Sequence, residues 1–576
     1  MQAPKAGPPE NSRAAAEAFR TRLEDLGRVL HRYGQAEWFG SPFHLFMLRG
    51  KKPDDVAAAP RNPRPADLKR GQAIAGGVFS LADNTLPVGA GGEPFDQPNP
   101  SRPFAEALHR MNWLGDLMAT GETGEREALR HVLSWARVFG GWNSFSWNAP
   151  LLERRVINLA CALRTLAAHA SDLEKARLLD VVARQARHLL TIADGPAHAA
   201  EHACAAACAG TALAGQAGDR LMDASLARLN AALPHTVLAD GGHATRSPEA
   251  GLSLLLDLLT LEDGLSKRGR PAPEEMSRAL DRLGASLRVL GLPDGRLACF
   301  QGGEAGDPAH VAAAREASDL VSISQQISLP HAGYEKLTGA MLTVMVDAAA
   351  PAAGAWSEAA CAQPAAIEVF CGRDRLITNC GWSPGGNGPE AMRLTSAGST
   401  LSVGEGSCGV LARGKIGKQF GARLKGGPTR VTARRQENPQ GAWLELAHDG
   451  WEAAWGVRHE RLLYLDRGSD ELRGEDRLVP PVPSASTRMA PVAVRFHLHP
   501  SVKASLARDR KSVLLQGPTT SGWWLRNDAQ DVSIEHSVHY ENGQPKRSTQ
   551  VVLRSHIPCG EGGKIRWKLA AMTRGD

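Results

Sequence analysis

The residues best placed to do chemistry lie in the stretch Leu238-Ala-Asp240-Gly-Gly-His243-Ala-Thr-Arg246-Ser-Pro248-Glu249. An unperturbed imidazole titrates near ~6.5, so His243 can act as a base or as the acid for a leaving group. Its plainer role is to cap the backbone of the turn. Arg246 carries a planar fork that suits a substrate carboxylate, or it pairs with Asp240 or Glu249. A second group is Trp142-Asn143-Ser-Phe-Ser-Trp147-Asn148. Its indoles can stack on sugar rings, and its amides can hydrogen-bond hydroxyls or neutralise a carboxylate. The alternative is that Trp142 and Trp147 seal the core between helices. Arg154 and Arg155 follow, and one of them should face inward in an ion pair. His459 and Tyr464 fall on opposite faces of a regular strand, so at most one reaches a cleft. His497 and His499 share a face while Phe496 and Leu498 fill the other, which describes a strand with a polar side rather than a metal pair. Nine cysteines without a CxxC pair read as small buried hydrophobes, so no metal or cofactor is expected.

These side chains need a scaffold. Asp240-Gly241-Gly242 reads as a tight turn, and Ser247-Pro248-Glu249 starts a helix with a hydroxyl cap, a first-turn proline and a carboxylate. Leucines from Leu252 to Leu261 make that helix apolar nearly all round, which predicts burial. From Phe104 to about Arg288 the period predicts helix after helix, among them Phe104–Thr120, Glu125–Phe139, Leu151–Ala168 and Gly251–Arg268. Short polar connections make them stacked antiparallel hairpins. After about Ser318 the period becomes two. Ile367–Phe370 and Leu376–Asn379 flank a hairpin turn, and Asn542-Gly543 is a type I′ candidate. Many short alternating strands argue for an antiparallel β-sandwich.

A chain of 576 residues should divide into two or three domains. Its net charge of +6 is dispersed, so a nucleic-acid stripe is not indicated, whereas an acidic substrate suits the balance. No apolar run reaches the roughly 18 residues that span a membrane. Residues 1–12 read as disordered, with a helix from Ser12 to about Tyr33. The first ten residues lack a hydrophobic signal-peptide region, so the cytoplasm is the expected compartment.

Trp113-Leu-Gly-Asp116-Leu, Arg154-Arg155-Val-Ile-Asn158, Leu238–Pro248, His459-Glu-Arg461-Leu-Leu-Tyr464, Leu472-Arg-Gly-Glu-Asp476-Arg and Val494-Arg-Phe-His497-Leu-His499-Pro500 occur in this order. In that order the chain resembles the heparinase II/III family of polysaccharide lyases, in its alphaproteobacterial branch. The resemblance implies an α+β multidomain protein: an N-terminal arm (1–50), an incomplete α/α toroid (51–315) and a C-terminal antiparallel β-sandwich (316–576). It implies a cleft between the two domains and β-elimination on a uronic-acid-containing polysaccharide or oligosaccharide, with the periplasm as the alternative compartment. Family lyases place an Asn-His pair and a tyrosine on the helical domain and a histidine on the sandwich, and some bind zinc there.

This chain departs from that pattern. No tyrosine occurs between Tyr33 and Tyr334, and Glu249-Ala250-Gly251 occupies the region where the phenol is sought. Ala197-His198 keeps the histidine of the Asn-His pair and loses the amide, leaving His198 as a substrate contact. Tyr334 can replace the missing phenol or pack at the start of a strand. His459 matches the sandwich position associated with zinc in some members, although other ligands are absent. The expected catalytic set is therefore His243, Arg246, His459 and Tyr334, with Trp142, Asn143, Trp147, Asn148, Arg155 and His198 binding substrate. Two alternatives stand beside the lyase: a non-catalytic saccharide-binding or scaffold member that has lost the usual Tyr and Asn, and a glycoside hydrolase built on paired carboxylates. The oligomeric state is not legible.

Overall fold

Helices account for the chain from Pro42–Arg49 to Pro308–Ser318, and strands for the chain from Ser328–Leu329 to Gly563–Ala571. The structure, a computed structural model, describes residues 27–572 apart from 28, 29, 32, 193, 194, 319–326, 387 and 413–421. The expected disordered start and most of the helix from Ser12 lie outside the described residues, as does the segment joining the last helix to the first strand. No helix among the described residues is long and apolar enough to cross a membrane.

The helical part follows the sequence pattern with one interruption. The predicted helix over Phe104–Thr120 is two helices, Arg102–Arg110 and Trp113–Met118, because Met111 turns left-handed at φ 56° and ends the first. The stretch 50–105 wraps the outside as expected but carries a helix, Leu68–Ala75, and a small hairpin, Val78–Leu81 with Asn84–Pro87. Helix Pro248–Lys267 begins as its sequence dictates: Ser247 Oγ accepts the Ala250 N–H at 3.3 Å and proline fills the first turn.

The C-terminal part is two antiparallel sheets. One pairs the strands Val431–Glu437, Gly441–His448, Arg458–Asp466, Glu471–Val479, Gly563–Ala571, Trp523–Asn527, Val513–Gln516 and Lys503–Leu506 in that spatial order. The other runs from Asp531–Glu541 through Gln544–Pro558, Met489–Leu498, Asp374–Thr378, Ile367–Cys371, Leu342–Asp347 and Tyr334–Thr338 to Ser328–Leu329. Both predicted turns are present, with Asn542 at φ 52° and Gly543 at φ 78° in the type I′ position.

Layering explains why the middle of the second sheet does not alternate. Every residue of Leu342–Asp347, Ile367–Cys371 and Asp374–Thr378 is buried. One face of this sheet packs on the first sheet, where Val344, Val369 and Leu376 join Leu444, Leu463 and Trp567. Its other face supplies Tyr334, Met345 and Phe370 to the core of the helical domain. A strand covered on both faces loses the polar half of its period. The sheet is thus a shared wall, and a site formed along it draws on both domains.

Candidate functional site

The turn from Leu238 to Ser247 is where the helical domain is fastened to this wall. Gly241 sits at φ 86°, and a Cβ there would lie 1.8 Å from the Arg282 carbonyl oxygen, so only glycine fits. Asp240 Oδ2 accepts the N–H groups of His331 and Ala332 at 2.6 and 2.9 Å. Arg246 adopts φ 65° and spends its guanidinium on the sandwich: Nε donates to Ala332 O at 2.7 Å, Nη1 to Ala350 O at 2.8 Å, and Nη2 to Gly333 O and the Asp347 carboxylate. Asp347 is completed by Gln301 Nε2 at 2.6 Å, and the Tyr334 hydroxyl donates to Arg246 O.

Two of the expected catalytic residues are corrected by this geometry. Arg246 is only 5 % exposed and its donors are taken, so it does not present a fork to a substrate carboxylate. Tyr334 is buried against Phe300 with its hydroxyl committed, and burial pushes its phenol well above the usual range, so it does not stand in for the missing phenol. Both act as parts of an interdomain bolt.

His459 is likewise removed from any cleft. It is sealed between the sheets, where its Nε2–H donates to Asp476 Oδ1 at 2.8 Å and its Nδ1 meets His448 Nε2 at 3.0 Å. Arg461 holds the same carboxylate from Nε at 2.7 Å, and Trp567 Nε1 donates to Oδ2 at 2.8 Å. That donor set does not fit zinc, because Asp476 is already neutralised by Arg461 and every oxygen is engaged. Tyr464, on the opposite face as the spacing requires, stacks on Trp443 with ring centroids 4.4 Å apart.

The tryptophan-asparagine loop is also structural. Trp147 is buried, donates from Nε1 to Phe139 O at 3.0 Å and packs against His188. Trp142 packs against Phe39, and Asn143 turns back to Ser146, accepting its N–H at 2.7 Å. Asn148 is the N-cap residue of helix Ala149–His169. Arg154 makes the expected structural ion pair, with Asp257, while Arg155 faces inward into hydrogen bonds with Gln185 Oε1, His109 O and Ser146 O, with Trp135 under its guanidinium. None of these side chains lines the interdomain cavity described next.

That cavity, of about 380 Å³, is bounded by His198, Glu201, His243, Glu249, Trp356, Glu358 and Trp382. Of the expected site residues, the fold brings His198 and His243 together here. Thr245 N–H donates to His243 Nδ1 at 3.2 Å, so the ring proton sits on Nε2 and is donated to Glu201 Oε1 at 3.1 Å. Trp356 meets the His243 ring edge-on at 6.1 Å. His198 crosses the domain boundary, its Nε2 3.3 Å from Glu358 Oε2, and Arg423 holds the other Glu358 oxygen at 2.7 Å.

The electrostatics follow from that crowding. Burial works against charge on His198, but the Glu358 hydrogen bond and the nearby Glu153 and Glu201 carboxylates outweigh it and raise its pKa to about 9. Glu358 is correspondingly lowered to about 2, the bonds from His198 and Arg423 overriding its desolvation. Glu249 moves the other way, raised by burial although Glu304 N–H donates to its Oε2 at 3.0 Å. Burial also pushes Glu304 up to about 7, with the Glu249 and Glu541 charges adding to the effect. Among the described residues, no lysine, arginine, tyrosine or side-chain amide lines the cavity; its ionisable lining is histidine and carboxylate.

Sequence reasoning missed Trp356, Trp382, Glu201 and Glu358 as cavity residues. Glu201 had a legible signal, lying three positions after His198 and so on the same side of the helix start. Trp382 sits in an irregular segment, and Trp356 and Glu358 on the short 3-10 helix Gly354–Glu358, whose paths only the fold defines.

A helical domain bolted to a two-sheet sandwich with a cleft between them is the architecture of the heparinase II/III class, and this chain belongs to the heparinase II/III-like family. The family's C-terminal model, "Heparinase II/III-like, C-terminal", matches residues 324–568. The chain is 50 % identical over 553 residues to FtsZ-localized protein C of Caulobacter vibrioides, covering 95 % of each sequence. Its fold is similar to that of heparinase III, with a TM-score of 0.68 at 12 % identity over 95 % of this chain and 92 % of the other. It is also similar to a heparan sulfate lyase HepC mutant from Pedobacter heparinus, with a TM-score of 0.56 at 15 % identity over 91 % and 86 %.

Proposed function

We propose that this chain is a non-catalytic, ligand-binding or scaffold member of its family that works with FtsZ at the division site. The carrying observation is the lining of the cleft. Elimination at a uronate needs a cation or amide to neutralise the carboxylate and a free base to take the α-proton. Among the described residues the cavity offers no such cation or amide, and the nearby arginines are engaged: Arg246 by Asp347 and Arg423 by Glu358. His243 Nδ1 is occupied by the Thr245 N–H, and His198 is held as a cation by carboxylates. A uronate entering this cleft meets Glu201, Glu249 and Glu358 instead. The half-identical FtsZ-localized relative supports the division reading and, with it, a cytoplasmic working compartment.

Two measurements on the purified full chain test this. Co-sedimentation with assembled FtsZ should recover it with the polymer. Incubation with a panel of acidic polysaccharides should produce no rise in unsaturated-uronate absorbance. A rise would restore the lyase, and its loss in His243→Ala would place the proton-transfer group on the turn. Hydrolysis is the second reading, favoured by one observation: burial raises Glu249 while Glu201 and Glu358 are lowered, so carboxylates of one cleft are pushed apart in pKa. Release of reducing ends, abolished in Glu249→Gln, would establish it.

A further inference from the structure

Beside the Asn542-Gly543 turn, at one end of the larger sheet, three metal-ligating side chains converge outside the cleft. His539 and Glu541 are two apart on strand Asp531–Glu541 and so share a face, and His499 follows the end of strand Met489–Leu498. Their ligand atoms lie within 4.8 Å of one another. His499 Nε2 is 3.2 Å from Glu541 Oε1, and His539 Nε2 is 3.9 Å from the same oxygen. We propose that His499, His539 and Glu541 bind a divalent transition metal, with zinc the best match to two imidazoles and a carboxylate.

The tautomer of His539 is the strongest argument. Its Nδ1 is 2.9 Å from the Asn379 carbonyl, which can only accept, so the ring proton is on Nδ1. Nε2 therefore presents a lone pair. It is buried, has no hydrogen-bond partner and faces a carboxylate oxygen. Two electron-rich atoms turned toward each other are favourable only with a cation between them. An imidazole whose far nitrogen donates to a backbone carbonyl is also the arrangement that orients a metal ligand.

The other two groups accommodate the ion. Lys546 engages Glu541 through Oε2, leaving Oε1 for the metal. His499 Nε2–H donates to Glu541 now, and its Nδ1 accepts the Ser501 N–H at 3.3 Å; a metal on Nε2 requires the ring proton to move to Nδ1, where Ser501 Oγ at 2.7 Å accepts it and the Ser501 N–H is given up. Tetrahedral zinc with bonds of about 2.0–2.2 Å needs these atoms closer than they lie, a movement of about 1 Å. His499, with 23 % of its side chain exposed, can supply it and leaves the fourth position to solvent. The set excludes calcium and magnesium, which favour oxygen ligands. The same turn donates Gly543 N–H to Glu304 Oε2 at 2.7 Å, so the ion would brace the segment that borders Glu304.

The test uses the full chain stripped with chelator and titrated with Zn²⁺ by calorimetry, and with Co²⁺ by visible absorption. The expected result is one equivalent bound, a Co²⁺ spectrum without thiolate charge transfer, and affinity reduced roughly 100-fold in His539→Gln, Glu541→Gln and His499→Gln. His536→Gln, exposed on the same strand, should bind as the parent does. His499→Gln is the deciding variant because its partly exposed side chain can be changed without emptying the core; circular dichroism confirms its fold. Absence of saturable binding, thiolate charge transfer, or unchanged affinity in a folded His499→Gln would each overturn the assignment.

Discussion

The bolt and the cleft are built from one turn and have opposite characters. Asp240 and Arg246, at either end of it, point into the sandwich and are saturated by backbone groups and Asp347. His243, midway between them, points to the cavity and shares a single carboxylate with a half-open space. Each region has an ion pair across the domain boundary, Arg246–Asp347 in the bolt and His198–Glu358 in the cleft, and the second is the more exposed. In the bolt, low dielectric and full satisfaction make each group costly to remove. In the cleft, the His198–Glu358 pair is partly screened and is the weaker support. Residue type alone therefore misassigns the turn: the arginine that looks like a substrate clamp is a fastener.

The largest expected effect is in the bolt. Arg246→Ala strands the buried Asp347 carboxylate and should cost about 3–5 kcal/mol in urea unfolding. The paired change Arg246→Met with Asp347→Leu should cost much less, since no charge is left uncompensated. Asp240→Ala leaves the His331 and Ala332 N–H groups without their acceptor and should cost about 2–3 kcal/mol by the same measurement.

Effects in the cleft should be smaller and pH-dependent. His198 is raised to about 9 in the fold, so its contribution is fully present below its ordinary value near 6.5 and is lost as pH rises through 9. The melting temperature should fall over that window in the parent and lose this component in His198→Asn. Glu201→Gln should change stability least, by under about 1 kcal/mol. A loss in that variant equal to the Arg246→Ala loss would erase the distinction between the two regions.

Much of this protein was legible in its residues. The change of period near residue 318, the cap and proline at Ser247-Pro248, the glycine at 241 and the Asn542-Gly543 turn are local signals, set by backbone sterics and by which face of an element must leave water. They determine a helical domain followed by a sandwich. The absence of a tyrosine between Tyr33 and Tyr334 is also a plain fact of the sequence.

Where each side chain ends was decided by tertiary structure. Tyr334, Arg246 and His459 are chemically able residues that packing turned inward: Tyr334 lies on the helical face of the shared wall with Arg246 docked beside it, and His459 is sealed between the two sheets. Trp356 and Glu358 reach the cavity from the 3-10 helix Gly354–Glu358, too short to show a period. His499 looked like the partner of His497, two residues away. Yet His497 turns to Ser537 and Ser396, and His499 to Glu541, across 42 residues of chain. Spacing along a strand assigns a face, but only the neighbouring strands decide what that face meets.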